Sequence, residues 1–153
     1  MNGISNLTGM KDIETDKKRE YLPTLADLID ILTINQIKEI KFQDKLAYAE
    51  VIKKICGDID LIIDEKNVKL SSKLVRIIIL VAQLNLFIWE TKDKMQEVDP
   101  ESYSKLLKFC HQLNGIRNTM KNKILEEIGD KDPSKKRTNT STDGLKGWDI
   151  SVD

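Results

Sequence analysis

Residues 74–89, LVRIIILVAQLNLFIW, form the most apolar stretch of the chain, interrupted only by Arg76, Gln83 and Asn85. The β-branched run Ile77 to Ile79 suits a buried strand as well as a helix, so periodicity alone leaves its type open. Length decides the matter. Ser72 to Lys94 contains no turn residue and exceeds any ordinary strand. Read as a helix, the segment places Arg76, Gln83 and Glu90 every seven residues along one stripe, and the rest of its surface is nearly all apolar. Such a helix is expected at the centre of a helical cluster, buried on most sides. Its 16 residues, with a cation near one end, fall short of the roughly 20 that span a bilayer, so no membrane helix is expected.

Working outward, three further helices flank this one. Thr24 precedes Leu25 and Asp27 follows three residues later, a capping box with Asp in place of Glu. The first helix should run from Leu25 to Phe42, with a wide apolar face of Leu25, Leu28, Ile29 and Leu32 that implies more than one neighbour. Asp44 can cap a second helix, where Tyr48, Ile52, Ile55, Ile59 and Ile62 follow spacings of 4, 3, 4 and 3. Gly57 interrupts it at about 1 kcal/mol relative to Ala, which predicts either a close backbone approach or a bend. Asn67 ends the element, and Ser71 or Ser72 caps the central helix. Asp99 then Pro100 starts the last helix, whose seam of Tyr103, Leu106, Cys110, Leu113, Arg117, Met120, Ile124 and Ile128 stops at Gly129.

The expected architecture is all-α: an antiparallel bundle of four principal helices over residues 21–129, between a polar arm 1–20 and a C-terminal arm 130–153. Seven glycines and three prolines in 153 residues agree with long helices and few turns. The C-terminal arm ends on Leu145, Trp148, Ile150 and Val152, too apolar for a solvent tail. Trp148 and Ile150 are therefore expected to dock, on their own bundle or at an interface with another copy.

Lys plus Arg number 25 and Asp plus Glu number 25, and the signs cancel in both arms and in the bundle. Phosphate-driven binding needs an excess of cations on one face, so nucleic acid is a disfavoured partner. The two cysteines sit in apolar helical patterns and read as small buried hydrophobes. Met1 to Glu20 lacks the apolar core of a secretory signal, and a reducing cytoplasm is the expected compartment.

His111 is the only histidine, which excludes His-based metal triads within one chain. Its neighbour Cys110 points about 100° away on a helix and cannot share a proton with it. Phosphate-cradling loops and nucleophile elbows are absent from the sequence. Carboxylates are the enzyme-like option: Asp27 with Asp30, and Asp60 with Asp64, each share a helix face, and four facing oxygen donors could hold Mg²⁺. All-α nucleoside triphosphate pyrophosphatases use such pairs, but their Glu-x-x-Glu and Glu-x-x-Asp spacings are missing here, and solvated faces explain the acids equally. Arg76 and Arg117 stand out because only four arginines accompany 21 lysines and both lie within apolar seams. A guanidinium there needs partners, with Asp30, Asp60 and Glu90 the candidates by type, or else awaits an anionic ligand. With Gln83, Asn114 and Asn118, the two arginines form the candidate ligand-binding set. Asn114, Gly115, Arg117 and Asn118 crowd poor helix formers together, which marks a close helix crossing or a site.

YLPTLADLIDILTINQIKEI (21–40), DIDLIIDEKNVKL (58–70) and LNGIRNTMKNKI (113–124) together resemble small proteins of T4-like phages of marine bacteria. In those relatives a LIDRLTI or LIDRLSI segment opens the first helix and LNGIRNTAKN lies in the last; Ile31 stands here where the pattern has Arg. The resemblance covers about residues 21–128 and leads to proteins of unassigned function. It implies a phage protein in the host cytoplasm and assigns no activity to it. The expected function is accordingly a non-enzymatic accessory or assembly protein, without a cofactor, acting on a protein partner and as a homodimer. The alternative is a small anionic ligand or nucleotide binder, with or without Mg²⁺, in the bundle interior.

Overall fold

The computed structural model describes residues 21–130 and, in the C-terminal segment, 141, 142, 145, 147, 148 and 150–152. The expected arm 1–20 and most of the C-terminal arm lie outside the described residues. Four helices follow one another: α1 (Leu25–Lys41), α2 (Lys45–Lys66), α3 (Ser72–Met95) and α4 (Pro100–Glu127). There is no strand among the described residues, and the fold is an all-α antiparallel bundle.

Each helix begins where a side chain can satisfy the otherwise unpaired N–H groups of the first turn. The Thr24 hydroxyl accepts the Asp27 N–H at 3.2 Å and the Asp27 carboxylate accepts the Thr24 N–H at 3.2 Å, a complete capping box. Asp44, Ser71 and Asp99 accept from Ala47, Leu74 and Ser102 in the same way, with Pro100 in the first turn of α4. α1 stops one residue earlier than expected, with Phe42 extended as its C-cap. Asn67 closes α2 in the left-handed conformation at φ 48°, and Gly129 follows α4 at φ 71°. α2 passes through Gly57 as one helix, and a Cβ there would meet nothing within 4 Å. Among the described residues no backbone approaches Gly57 on that side.

Ile77, Val81 and Leu84 of α3 and Leu113 and Ile124 of α4 are fully buried, and Leu25, Ala26 and Ile29 of α1 close over them. The helix in contact with every other is α1. At the backbone level α2 touches α1 alone, no Cα of α2 coming within 8 Å of α3 or α4. Ile55 is the one buried residue of its 22. Directly packed helices lie about 8–10 Å apart, so α2 and α3 stand wider than side-by-side packing allows.

This splaying overturns the expectation that α3 is buried on most sides. Val75, Ile79, Leu86 and Phe87 are exposed, Ile79 by 51 %, because among the described residues no helix covers that face. Beside α3, with α1 as its floor, runs an apolar groove made of two depressions that meet at Leu32 and Thr33, one of about 390 Å³ between α1 and α3 and one of about 400 Å³ that reaches Ile59 and Ile63 of α2. Ring contacts of Phe42 with Tyr48 and with Trp89, both at 5.9 Å, close one end. By length and composition the 24-residue α3 could cross a membrane, and 44 % of its apolar window is buried within the bundle.

The described part of the C-terminal segment lies on the bundle of its own chain. Trp148 meets Phe87 edge-on at 5.3 Å between ring centroids, Ile150 packs against the core, and Val152 is 3 % exposed. Gln112 ties the segment down by donating to the Ser141 carbonyl at 3.2 Å.

Candidate functional site

The polar groups the bundle encloses converge on one joint between α1, α3 and α4. Asp27 and Asp30 lie three residues apart on α1 and so face the same way, as do Arg117 and Lys121, four apart on α4. Packing α1 on α4 brings the two pairs together. Lys121 Nζ lies 2.9 Å from Asp27 Oδ1 and 3.1 Å from Asp30 Oδ2, and Arg117 Nε lies 3.8 Å from Asp30 Oδ1. That last distance permits a charge contact and no hydrogen bond, leaving Arg117 Nε buried without an acceptor.

Asn85 of α3 completes the joint. Its amide nitrogen donates to Asp30 Oδ1 at 2.8 Å and to the Thr33 hydroxyl at 2.6 Å, while its oxygen accepts from Arg117 Nη1 at 2.8 Å. Neighbours on both sides fix which way the amide points, since the Arg117 guanidinium can only donate and the Asp30 carboxylate can only accept. The Thr33 hydroxyl in turn donates to the Asp30 carbonyl at 2.8 Å. Two acids and two bases cancel, so the cluster carries no net charge while holding three helices by directional bonds. Buried ion pairs of this kind repay their desolvation through such extra hydrogen bonds.

The candidate residues do not assemble as the sequence suggested. Arg76 and Gln83 lie exposed on α3, away from the interior where Arg117 sits, so the two arginines do not form a joint anion clamp. The physical reason is the uncovered face of α3, which leaves Arg76 in water with no need of an acid. Arg117 takes Asp30, one of the three acids proposed by type. Asn114 and Asn118 are half-buried on α4, and Gly115 is buried between them. Asp60 and Asp64 are exposed on α2, which meets α1 only, and do not join Asp27 and Asp30. Among the described residues no three His, Cys, Asp or Glu side chains gather to hold a metal ion. His111 is exposed beside buried Cys110, whose thiol is pushed up by burial against the smaller opposing effect of Lys92.

Sequence reasoning missed Lys121 and Asn85. Lys121 was one lysine among many, although its spacing of four from Arg117 matches the facing acids. Asn85 was noticed as an interruption of α3 and given no partner.

Acid should weaken the joint. Burial pushes the Asp27 carboxyl up, but the Lys121 hydrogen bond and charge, with both donors of Thr24, outweigh it and hold the group below its ordinary 3.8. A carboxyl lowered on folding contributes stability that is full above its unfolded value and lost as pH falls through its folded one. Wild-type melting temperature is therefore expected to drop below about pH 4 more steeply than that of Asp27→Asn, followed by circular dichroism. Parallel acid slopes would refute this.

No protein-family model matches this chain, and no curated protein or solved structure matches it.

Proposed function

We propose that this chain is a non-catalytic helical protein, an accessory or assembly component of a phage, that works by binding protein, itself included. The observation that carries the reading is the uncovered apolar surface along α3 and the groove beside it. Val75, Ile79, Leu86 and Ile40 stay exposed there. Contiguous apolar surface of that extent on a folded domain marks an interaction site. The interior charges, by contrast, are engaged with one another at the α1–α3–α4 joint, which agrees with a structural role for them.

Light scattering over a dilution series tests the reading. A mass that falls from two chains to one on dilution is the expected result. One chain's mass at every concentration, with no protein retained on the immobilised chain from infected cells, would overturn it.

A further inference from the structure

We infer that two copies of this chain pair through α3, antiparallel and about a two-fold axis at Gln83. The inference rests on the protein-binding reading above and names its surface, its register and its occupant.

The outer face of α3 carries Val75, Ile79 and Leu86, exposed, with Ala82 and Trp89, half-buried, at spacings of 4, 3, 4 and 3 in chain order. That is the seam of a coiled coil, two apolar residues per heptad, lying opposite the face that fills the core. Beside it, Arg76, Gln83 and Glu90 recur every seven residues and are all exposed. Among the described residues neither Arg76 nor Glu90 enters an ion pair within the chain. A flank of one cation and one anion placed seven residues either side of a neutral amide is self-complementary when reversed. With Gln83 facing its own symmetry mate, Arg76 of one copy faces the partner's Glu90, and Glu90 faces the partner's Arg76. A parallel pair would instead turn this flank toward the opposite flank of the partner and leave Arg76 and Glu90 without each other.

Three further features agree with this register. Gln83 stands at the middle of the 24-residue helix, so the two copies of α3 overlap along their whole length, about 36 Å. In the same register Leu86 comes opposite the partner's Ile79, while Ala82, the smallest residue of the seam, meets its own symmetry mate near the axis, beside a depression of about 390 Å³ lined by Leu32, Ile37, Ile40, Ala82 and Leu86. Large side chains thus pair on either side of the axis, and the small one leaves space at the axis itself. An isologous contact needs ridge and hollow on one surface, and this surface has both. Covering the exposed parts of Val75, Ile79, Leu86 and Ile40 removes roughly 300 Å² of apolar side chain per copy. With a polar rim in the usual proportion the contact totals about 1,000 Å², the lower bound for a specific interface. A dimer that exchanges readily follows.

Sedimentation equilibrium of the full chain and four variants tests the inference. Ile79→Glu should be monomeric with the melting temperature of the wild-type monomer, since Ile79 is half exposed and outside the core. Arg76→Glu and Glu90→Arg should each weaken dimerisation about five- to tenfold, by replacing two attractions with two repulsions per dimer, and more so at low salt. The double variant, Arg76→Glu with Glu90→Arg, restores the charge pairs in reverse and should return dimerisation to within about twofold of wild type. Recovery in the double variant is the decisive result, because loss of fold cannot produce it. A dimer indifferent to all four variants would overturn the α3 register while leaving the protein-binding reading intact. A wild-type chain that is monomeric throughout would overturn the pairing itself. In that case, dimerisation appearing only on removal of residues 1–20 would name that arm as the occupant of the face.

Discussion

Lys121→Met is expected to cost the bundle roughly 3 to 5 kcal/mol, the range found when one partner of a buried ion pair is removed. The lysine is 8 % exposed and carries the two closest charge contacts of the joint, to Asp27 and Asp30. Methionine fills its volume with an apolar chain, so little of the loss comes from packing. The penalty comes from the acids. Asp30 is 7 % exposed and would keep only Arg117, at 3.8 Å, as a cation. A neutral hydrogen bond contributes about 1 kcal/mol net, too little to account for a loss of this size, so the magnitude separates a charge effect from a bonding effect. Asp30→Asn on the Lys121→Met background removes the stranded charge and should recover part of the loss. Chemical denaturation of the two single variants and the double gives the coupling directly; additive losses would mean that the joint does not act as a unit.

Leu113→Ala should destabilise the bundle by about 3 to 5 kcal/mol, through transfer of the lost side-chain atoms plus the cavity they leave. Leu113 is 0 % exposed in a cluster with Ile77, Val81, Leu84 and Ile124. These residues sit on long helices fixed at both ends by caps, so the walls can relax only in part. Leu46→Ala, at 82 % exposure on α2, is the matched control and should change stability by less than about 0.5 kcal/mol. Denaturant midpoints with unchanged slope would show that the difference lies in the folded core. A loss of under about 1 kcal/mol for Leu113→Ala would mean that the core closes over the gap.

The four helices were legible because their ends are written in side chains that act locally. Thr24 with Asp27, Asp44, Ser71, Asp99 with Pro100, Asn67 and Gly129 each do in the structure what the sequence assigned to them. Burial along α3 was less legible, since an apolar run announces that it will be covered and not by what. Its face at Val75, Ile79 and Leu86 has no covering helix because α2 leans on α1. At the joint, Arg117 with Asp30 was readable by charge and seam position. Asn85 and Lys121 were not, because their roles depend on which helix faces which. Facing pairs at spacings of three and four on α1 and α4 were the signal available, visible only when both helices are compared at once.

Because α2 has backbone contact with α1 alone, the fold resembles a three-legged stand with a hinged leaf more than a closed barrel of staves. Apart from the Lys66–Asp130 ion pair at 3.0 Å, swinging that leaf aside breaks its seam with α1 and leaves the Asp30–Asn85–Arg117 knot tied. Evolution can therefore alter the leaf's outer side, or the angle at which it hangs, without renegotiating the stand beneath it.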